Sequence, residues 1–325
     1  MKKFAIAFVL LGLVGAVHAG DWVTEMRTVR QSYTDTDGPS VGTIGRFGDS
    51  ISVSMASFNP LRWGHSNTTP ASQAALSWMQ GWMTSDCWDW QLDTECWLHG
   101  CQGSTTSAWP LESASGWAGY VSGERRVDYW LRNDNPEIAV IMWGTNDLHT
   151  SITPTQYYNN LLAVVQACKA NGTIPILSTA PPRHNYDNGS ASSQQRAADF
   201  HQAALNLAAA ESLPLIEYHA ECTTRNPHSP PTSSWDGADP MWSAYSGYNV
   251  PTSISGDGVH PSNPGTYGSN FSEEALTKNG FNLRNYMTLM ASHDVYERVI
   301  VPEPTGLALL AAAGLALLRR RRRGA

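Results

Sequence analysis

Six consecutive apolar residues, Ile138 to Trp143, constrain the fold more than any other stretch. A run with no polar alternation suits a strand buried on both faces, and such strands belong to parallel sheets covered by helices. The residues that follow fit this. Gly144 breaks the run, and Thr153-Pro154-Thr155-Gln156 is a capping box with proline at the first helical position. Tyr158, Leu161, Leu162, Val165 and Cys168 then share one helical face, and Asn171-Gly172 stops the helix. Thr173 to Ser178 is the next strand, Gln194 to Glu211 an alanine-rich helix, and Leu213 to Tyr218 a last strand. Strand and helix alternating at this spacing predict right-handed βαβ units, a parallel sheet and the α/β class.

The same pattern opens the chain's first half. Val41 to Phe47 is apolar with glycines, breaks at Gly48-Asp49-Ser50, and resumes with helical spacing from Ile51. This predicts strand, tight turn and helix start, with Ser50 at a helix N-terminus on the carboxyl edge of a sheet. Unpaired N–H groups there favour developing negative charge, so Ser50 is a candidate nucleophile. The competing reading is that Asp49 and Ser50 only cap a helix. Between these regions, Gly20 to Pro39 reads as a polar segment ending in a turn. Ala71 to Met83 reads as a helix, Leu92 to Leu98 as a short strand, and Val127 to Leu131 as the end of a short helix. Cys222 to Ser255 has no period and reads as a long loop, and Thr266 to Ser292 as one or two closing helices.

Four residues in order carry a resemblance. Ser50 lies in Gly48-Asp49-Ser50, Gly103 in Gly100-Cys101-Gln102-Gly103-Ser104-Thr105, Asn146 in Gly144-Thr145-Asn146-Asp147, and His260 in Asp257-Gly258-Val259-His260. Serine, glycine, asparagine and histidine so placed resemble the SGNH (GDSL) hydrolase family, over about Thr43 to Gly265. The resemblance implies a flavodoxin-like three-layer α/β/α sandwich with a central five-stranded parallel sheet. It implies Ser50 as nucleophile, His260 as base and Asp257 as the group that orients the imidazole. It implies an oxyanion hole of the Ser50 N–H, the Gly103 N–H and the Asn146 side-chain amide, with no cofactor and no metal. Around Gly103 the chain departs from the family, which usually shows an asparagine and a serine where Gly100-Cys101-Gln102 stands. As plain structure, Asp257 and Asn146 would be turn residues and His260 a surface histidine before Pro261.

Other chemistries are absent from the sequence. Ser50 is followed by Ile51-Ser52, so the Gly-x-Ser-x-Gly elbow is not met. Gly42, Gly45 and Gly48 are not spaced as a dinucleotide fingerprint, and there is no His-Glu-x-x-His or Gly-Lys-Ser/Thr motif.

Both ends read as addresses. Lys2-Lys3, the apolar stretch Phe4 to Val17 and Val17-His18-Ala19 make a secretory signal cleaved after Ala19. Val301-Pro302-Glu303-Pro304, the apolar run Gly306 to Leu318 and Arg319 to Arg323 resemble a PEP-CTERM sorting signal. That resemblance implies an exosortase-type processing enzyme, only transient membrane contact through the tail, and a Gram-negative cell-surface or extracellular location. A tail anchor is the alternative. The expected organisation is thus residues 1–19 signal, 20–298 one catalytic domain and 299–325 tail, with Val301 to Ala325 packing on nothing in the domain. Without the two ends, which carry seven basic residues and Glu303, 14 basic residues stand against 27 acidic ones, a balance of −13. No basic stripe remains for nucleic acid.

Of the five cysteines, Cys87, Cys96 and Cys101 cluster before Gly103, where one pair could staple the loop. Cys168 reads as a core thiol, and with Cys222 the odd count leaves at least one thiol unpaired within the chain. Eight of the 13 tryptophans lie between Trp63 and Trp117. Most read as core, with two or three lining a cleft. Export and mixed polar-aromatic loops favour an O-acyl, especially acetyl, ester of a carbohydrate as substrate. A lipid or aryl ester, or a non-catalytic glycan-binding role on the same fold, is the alternative.

Overall fold

The computed structural model describes residues 21–34, 41–90, 95–187, 189–225 and 253–301. Its helices in chain order are α1 (Asp21–Arg30), α2 (Ser50–Val53), α3 (Pro70–Trp82), α4 (Ser85–Asp89), α5 (Arg126–Asn133), α6 (Pro154–Asn171), α7 (His184–Asp187), α8 (Ala191–Ala210), α9 (Tyr218–Thr224), α10 (Glu273–Lys278) and α11 (Gly280–Val295). Four strands are found among the described residues: β1 (Ile44–Gly48), β2 (Ile138–Met142), β3 (Ile174–Ser178) and β4 (Leu215–Ile216). They pair in parallel in the order β1-β2-β3-β4. Every residue of β1, β2 and β3 is buried, as an uninterrupted apolar strand covered on both faces requires.

A sequential parallel order with right-handed crossovers puts the linking helices on one face. There α5 packs on α6 and α6 on α8, while α3 packs on α11, which with α1 covers the other face. The helix starts follow local chemistry. Thr69 and Thr153 each accept from the N3 backbone N–H and close reciprocal capping boxes, with Pro70 and Pro154 in the first turn. Gly172 ends α6 in the left-handed region.

Several expectations change. Among the described residues, the expected strand at Leu92 to Leu98 is replaced at its end by another conformation. Residues 91–94 lie outside the described part, and Cys96–His99 is a 3₁₀ turn. What remains of a fifth strand is one parallel bridge between Cys101 and Gly48. β4 is confined to Leu215–Ile216, and Tyr218 and Cys222 belong to α9 instead of a strand end and a loop. The expected polar segment after Gly20 contains α1, whose Val23, Met26 and Val29 are buried. The five cysteines are all thiols, so no pair staples the loop before Gly103, and Cys168 is fully buried as expected. The signal segment 1–19, most of the long loop with Trp235, Trp242, Tyr245 and Tyr248, and the tail from Pro302 lie outside the described residues. Among those described, no helix is long and apolar enough to cross a membrane.

The packed chain runs past Arg298. A π turn spans Tyr296–Ile300, Val299 is 3% exposed, and Ile300 packs on the core, whereas Val301 is exposed. A chain ending at Val301 should therefore keep the whole of this packed segment. One ending at Arg298 should lose about 1.5–3 kcal/mol for the buried Val299 side chain. Thermal denaturation of the two truncations checks both statements.

Candidate active site

β1 runs buried to Gly48, where the chain must turn tightly. A Cβ on Gly48 would stand 2.2 Å from the Ser52 hydroxyl and 2.6 Å from the Met142 carbonyl, so only glycine fits. Asp49 caps α2, its Oδ1 accepting from the Ile51 N–H at 3.0 Å. Ser50 is thus the first residue of α2, and its own N–H has no intrahelical acceptor.

His260 reaches Ser50 from 210 residues away. It lies in a narrow loop closed by the Ser255 N–H to His260 carbonyl and Ser262 N–H to Ser253 carbonyl bonds. The N-terminus of α11 holds that loop: Gly280 N–H donates to the Ser262 hydroxyl and Phe281 N–H to the Ser262 carbonyl. The Asp257 Oδ1 accepts from the Ser255 hydroxyl and the N–H groups of Val259 and His260, which fixes its carboxylate. The His260 Nδ1 then donates to Asp257 Oδ2 at 2.6 Å, and its Nε2 accepts from the Ser50 hydroxyl at 2.9 Å. Partial burial pushes the Asp257 carboxyl up, but the hydrogen bonds from His260, Ser255 and the backbone outweigh it and hold it well below the usual range. The Asp257 hydrogen bond raises the His260 pKa above an ordinary histidine's, against the lowering effect of partial burial.

The two other expected residues also come to this edge. Gly100 to Gln102 runs beside Gly48, with Gly48 N–H donating to the Gly100 carbonyl at 3.0 Å and Gln102 N–H to the Gly48 carbonyl at 3.1 Å. This brings Gly103 alongside Ser50: a Cβ on it would stand 4.0 Å from the Ser50 Cβ. Asn146, after β2, donates one amide hydrogen to the Thr105 carbonyl at 2.8 Å, leaving its second for a ligand. All five expected residues, Ser50, Gly103, Asn146, Asp257 and His260, therefore meet at the carboxyl edge of the sheet, where open α/β sheets bind ligands.

The support behind them was not foreseen in the sequence. Asp147 is fully buried and accepts from the Ser107 N–H and hydroxyl, and Trp143 Nε1 donates to the Thr105 hydroxyl. Together they bind the Gly103–Ser107 loop to the end of β2. Arg284 of α11 is buried beneath α2 and donates to the Ile51 carbonyl and the Ser52 and Ser57 hydroxyls. Asp147 stood in the quoted motif beside Asn146, whereas an arginine within the apolar pattern of α11 was the only signal for Arg284. Among the described residues no group of three His, Cys, Asp or Glu side chains is placed to hold a metal ion.

A helix-terminal hydroxyl, an imidazole that bridges it to a fixed carboxylate, and donors converging from two loops form the arrangement of a Ser-His-Asp hydrolase on an α/β sheet. Residues 47–266 match the GDSL-like lipase/acylhydrolase family, and the chain belongs to that family, an ester hydrolase by class. No curated protein matches the chain. Solved structures that resemble it include a GDSL-like lipase from Bacteroides thetaiotaomicron, at 13% identity over 84% of this chain and 97% of that one, with a TM-score of 0.42. A lipase/acylhydrolase from Enterococcus faecalis resembles it at 16% identity over 77% and 94%, with a TM-score of 0.40. A catalytic mutant of an acetylxylan esterase from Geobacillus stearothermophilus does so at 11% over 79% and 94%, with a TM-score of 0.38.

Asp49 generates a prediction. It is fully buried, and its Oδ2 has no hydrogen-bond partner among the described residues. Burial, opposed by the Ile51 N–H and by Arg284, pushes its pKa up to about 6. A carboxyl whose folded pKa exceeds its unfolded value contributes stability below the unfolded pKa and loses it as pH rises through about 6. Ionised Asp49 thus costs stability at neutral pH, up to about 3 kcal/mol. Asp49→Asn keeps the cap and removes the charge. Its melting temperature should exceed the wild type's at pH 8, and the gap should close towards pH 4.

Proposed function

We propose that this protein is an exported serine esterase that works through an acyl-enzyme on Ser50 and removes acyl, chiefly acetyl, groups from carbohydrates. The reading is carried by the unbroken hydrogen-bond chain Ser50–His260–Asp257. In the proposed cycle the Ser50 oxygen attacks the ester carbonyl and its proton passes to His260 Nε2, while Asp257 stabilises the imidazolium. The oxyanion is held by the Ser50 and Gly103 N–H groups and the second amide hydrogen of Asn146. Collapse expels the alcohol, which takes the proton from His260. Water, deprotonated by the same imidazole, then releases the acid and restores Ser50.

The carbohydrate part rests on access and surface. The side chains of His260 and Asp257 are 40% and 49% exposed, which admits a bulky substrate. Met55 and Trp63 stand exposed on the segment that leaves α2, and an exposed indole stacks on sugar faces. Export rests on the signal-like first 19 residues, and the cell-surface destination and exosortase-type processing on the Pro-Glu-Pro tail. Acetate release from a panel of acetylated polysaccharides, beside aryl esters and long-chain lipid esters, tests the substrate. Preference for long chains would favour the lipid reading, and no turnover with retained glycan binding the non-catalytic one.

The mechanism predicts how the site fails. Ser50→Ala and His260→Ala should each abolish turnover, and the double variant should be scarcely worse than either. Asn146→Ala should lower kcat by roughly 10²–10³ with KM little changed. Because only neutral imidazole accepts the serine proton and Asp257 favours the cation, kcat/KM should rise with pH through an inflection above the ordinary histidine value of about 6.5. Steady-state kinetics across pH 5–9 reads all of these.

A further inference from the structure

We propose that Arg183 is a positioning residue for this reaction: it anchors the turn that carries Asn146 and brings a guanidinium, without an ion pair among the described residues, to the sheet edge that presents Ser50. The inference rests on the triad reading above. Arg183 follows Pro181-Pro182 at the carboxyl end of β3, the strand next to β2, so the topology delivers it to the edge that holds Ser50 and Asn146. Its Nη1 donates to the Thr145 carbonyl at 2.6 Å. That carbonyl belongs to the peptide unit joining Thr145 to Asn146, so the bond fixes the peptide from which the Asn146 amide projects. Gly144 on the other side is equally confined, since a Cβ there would stand 3.0 Å from the Tyr157 hydroxyl and 3.1 Å from Ala180.

Arg183 itself is held from behind. Its backbone N–H donates to Asp187 Oδ2 at 2.7 Å, Asp187 Oδ1 accepts from His219, and the guanidinium lies over the Tyr186 ring. The Asp187 carboxylate is thus spent on backbone and imidazole. Among the described residues the guanidinium has no ion pair, and its Nε is buried without a hydrogen-bond partner. Like Arg284, Arg183 is thus a buried guanidinium without a carboxylate partner among the described residues, which costs stability. Its charge acts on its surroundings, and the acids within its field are Asp257 and Asp49, with Tyr186.

Among the described residues, the charged groups whose field reaches the His260 ring are Asp257 on its own loop, Asp49 at the start of α2 and Arg183 after β3, and the Ser50 hydroxyl bonds to the ring. The two carboxylates favour the imidazolium and Arg183 opposes it. The arginine thereby keeps the base neutral at lower pH than the acid pair alone would allow. In the same place it favours the oxyanion, whose charge develops at the turn it holds.

Arg183→Gln and Arg183→Lys test the assignment, with Ser50→Ala measured alongside. Arg183→Gln should lower kcat roughly tenfold with KM nearly unchanged, and move the acid limb of kcat/KM to higher pH by about half a unit or more. Arg183→Lys keeps the charge but not the planar fork, so it should recover part of kcat and leave the acid limb in place. An unmoved acid limb in Arg183→Gln, or a raised KM at unchanged kcat, overturns the proposal. If Arg183→Gln does not fold, an alkaline shift in Arg183→Lys overturns it as well. Full activity in Ser50→Ala would instead remove the triad reading, whereas an inactive Ser50→Ala beside an unaffected Arg183→Gln removes only the role of Arg183.

Discussion

The guanidinium of Arg284, buried beneath α2, is the interaction on which the site's geometry depends. α2 is one turn long and too short to hold itself in place. Arg284 ties it down through the Ile51 carbonyl and the Ser52 and Ser57 hydroxyls, and Asn285 adds bonds to Phe58 N–H and the Ala56 carbonyl. The N-terminus of the same helix, α11, holds the loop that carries Asp257 and His260. One rigid helix therefore sets the separation between Ser50 in the first part of the chain and His260 in its last part. A hydroxyl–imidazole bond of 2.9 Å between parts 210 residues apart requires such a common support.

The same edge concentrates buried charge. Asp49, Asp147, Arg46 and Arg284 are all at most 4% exposed, and burial lowers the Arg46 guanidinium to about 10. Low-dielectric surroundings make each charge costly and make its field on the reacting atoms strong. Among the described residues the Asp49 Oδ2 and the Arg183 Nε lack hydrogen-bond partners, so polarity at this edge is kept at a cost in stability.

Legibility followed the range of the forces involved. Strands β2 and β3, the Thr153 capping box and the end of α6 at Gly172 were readable because apolar periodicity, side-chain caps and left-handed glycine are local. The segment at Cys96 read as a strand because it is apolar and short, yet it folds as a 3₁₀ turn with only Cys101 reaching the sheet edge. Backbone pairing to Gly48, not propensity, decided that. α1 was missed although Val23, Met26 and Val29 make an apolar stripe, because its mean character is polar and only tertiary packing orders it. The tryptophans are largely spent on one another, as in Trp78 with Trp82 and Trp97 with Trp117.

The sequence by itself determined the α/β class, the strand-turn-helix that presents Ser50, and the order of Ser50, Gly103, Asn146, Asp257 and His260, since each rests on residue type and short spacing. Only the tertiary structure decided that these five converge, that Asn146 spends one amide hydrogen on Thr105, and that Asp147, Arg183 and Arg284 stand behind them. Those roles depend on contacts between distant segments, and a side chain's partner across a fold leaves no periodic trace in the chain that carries it.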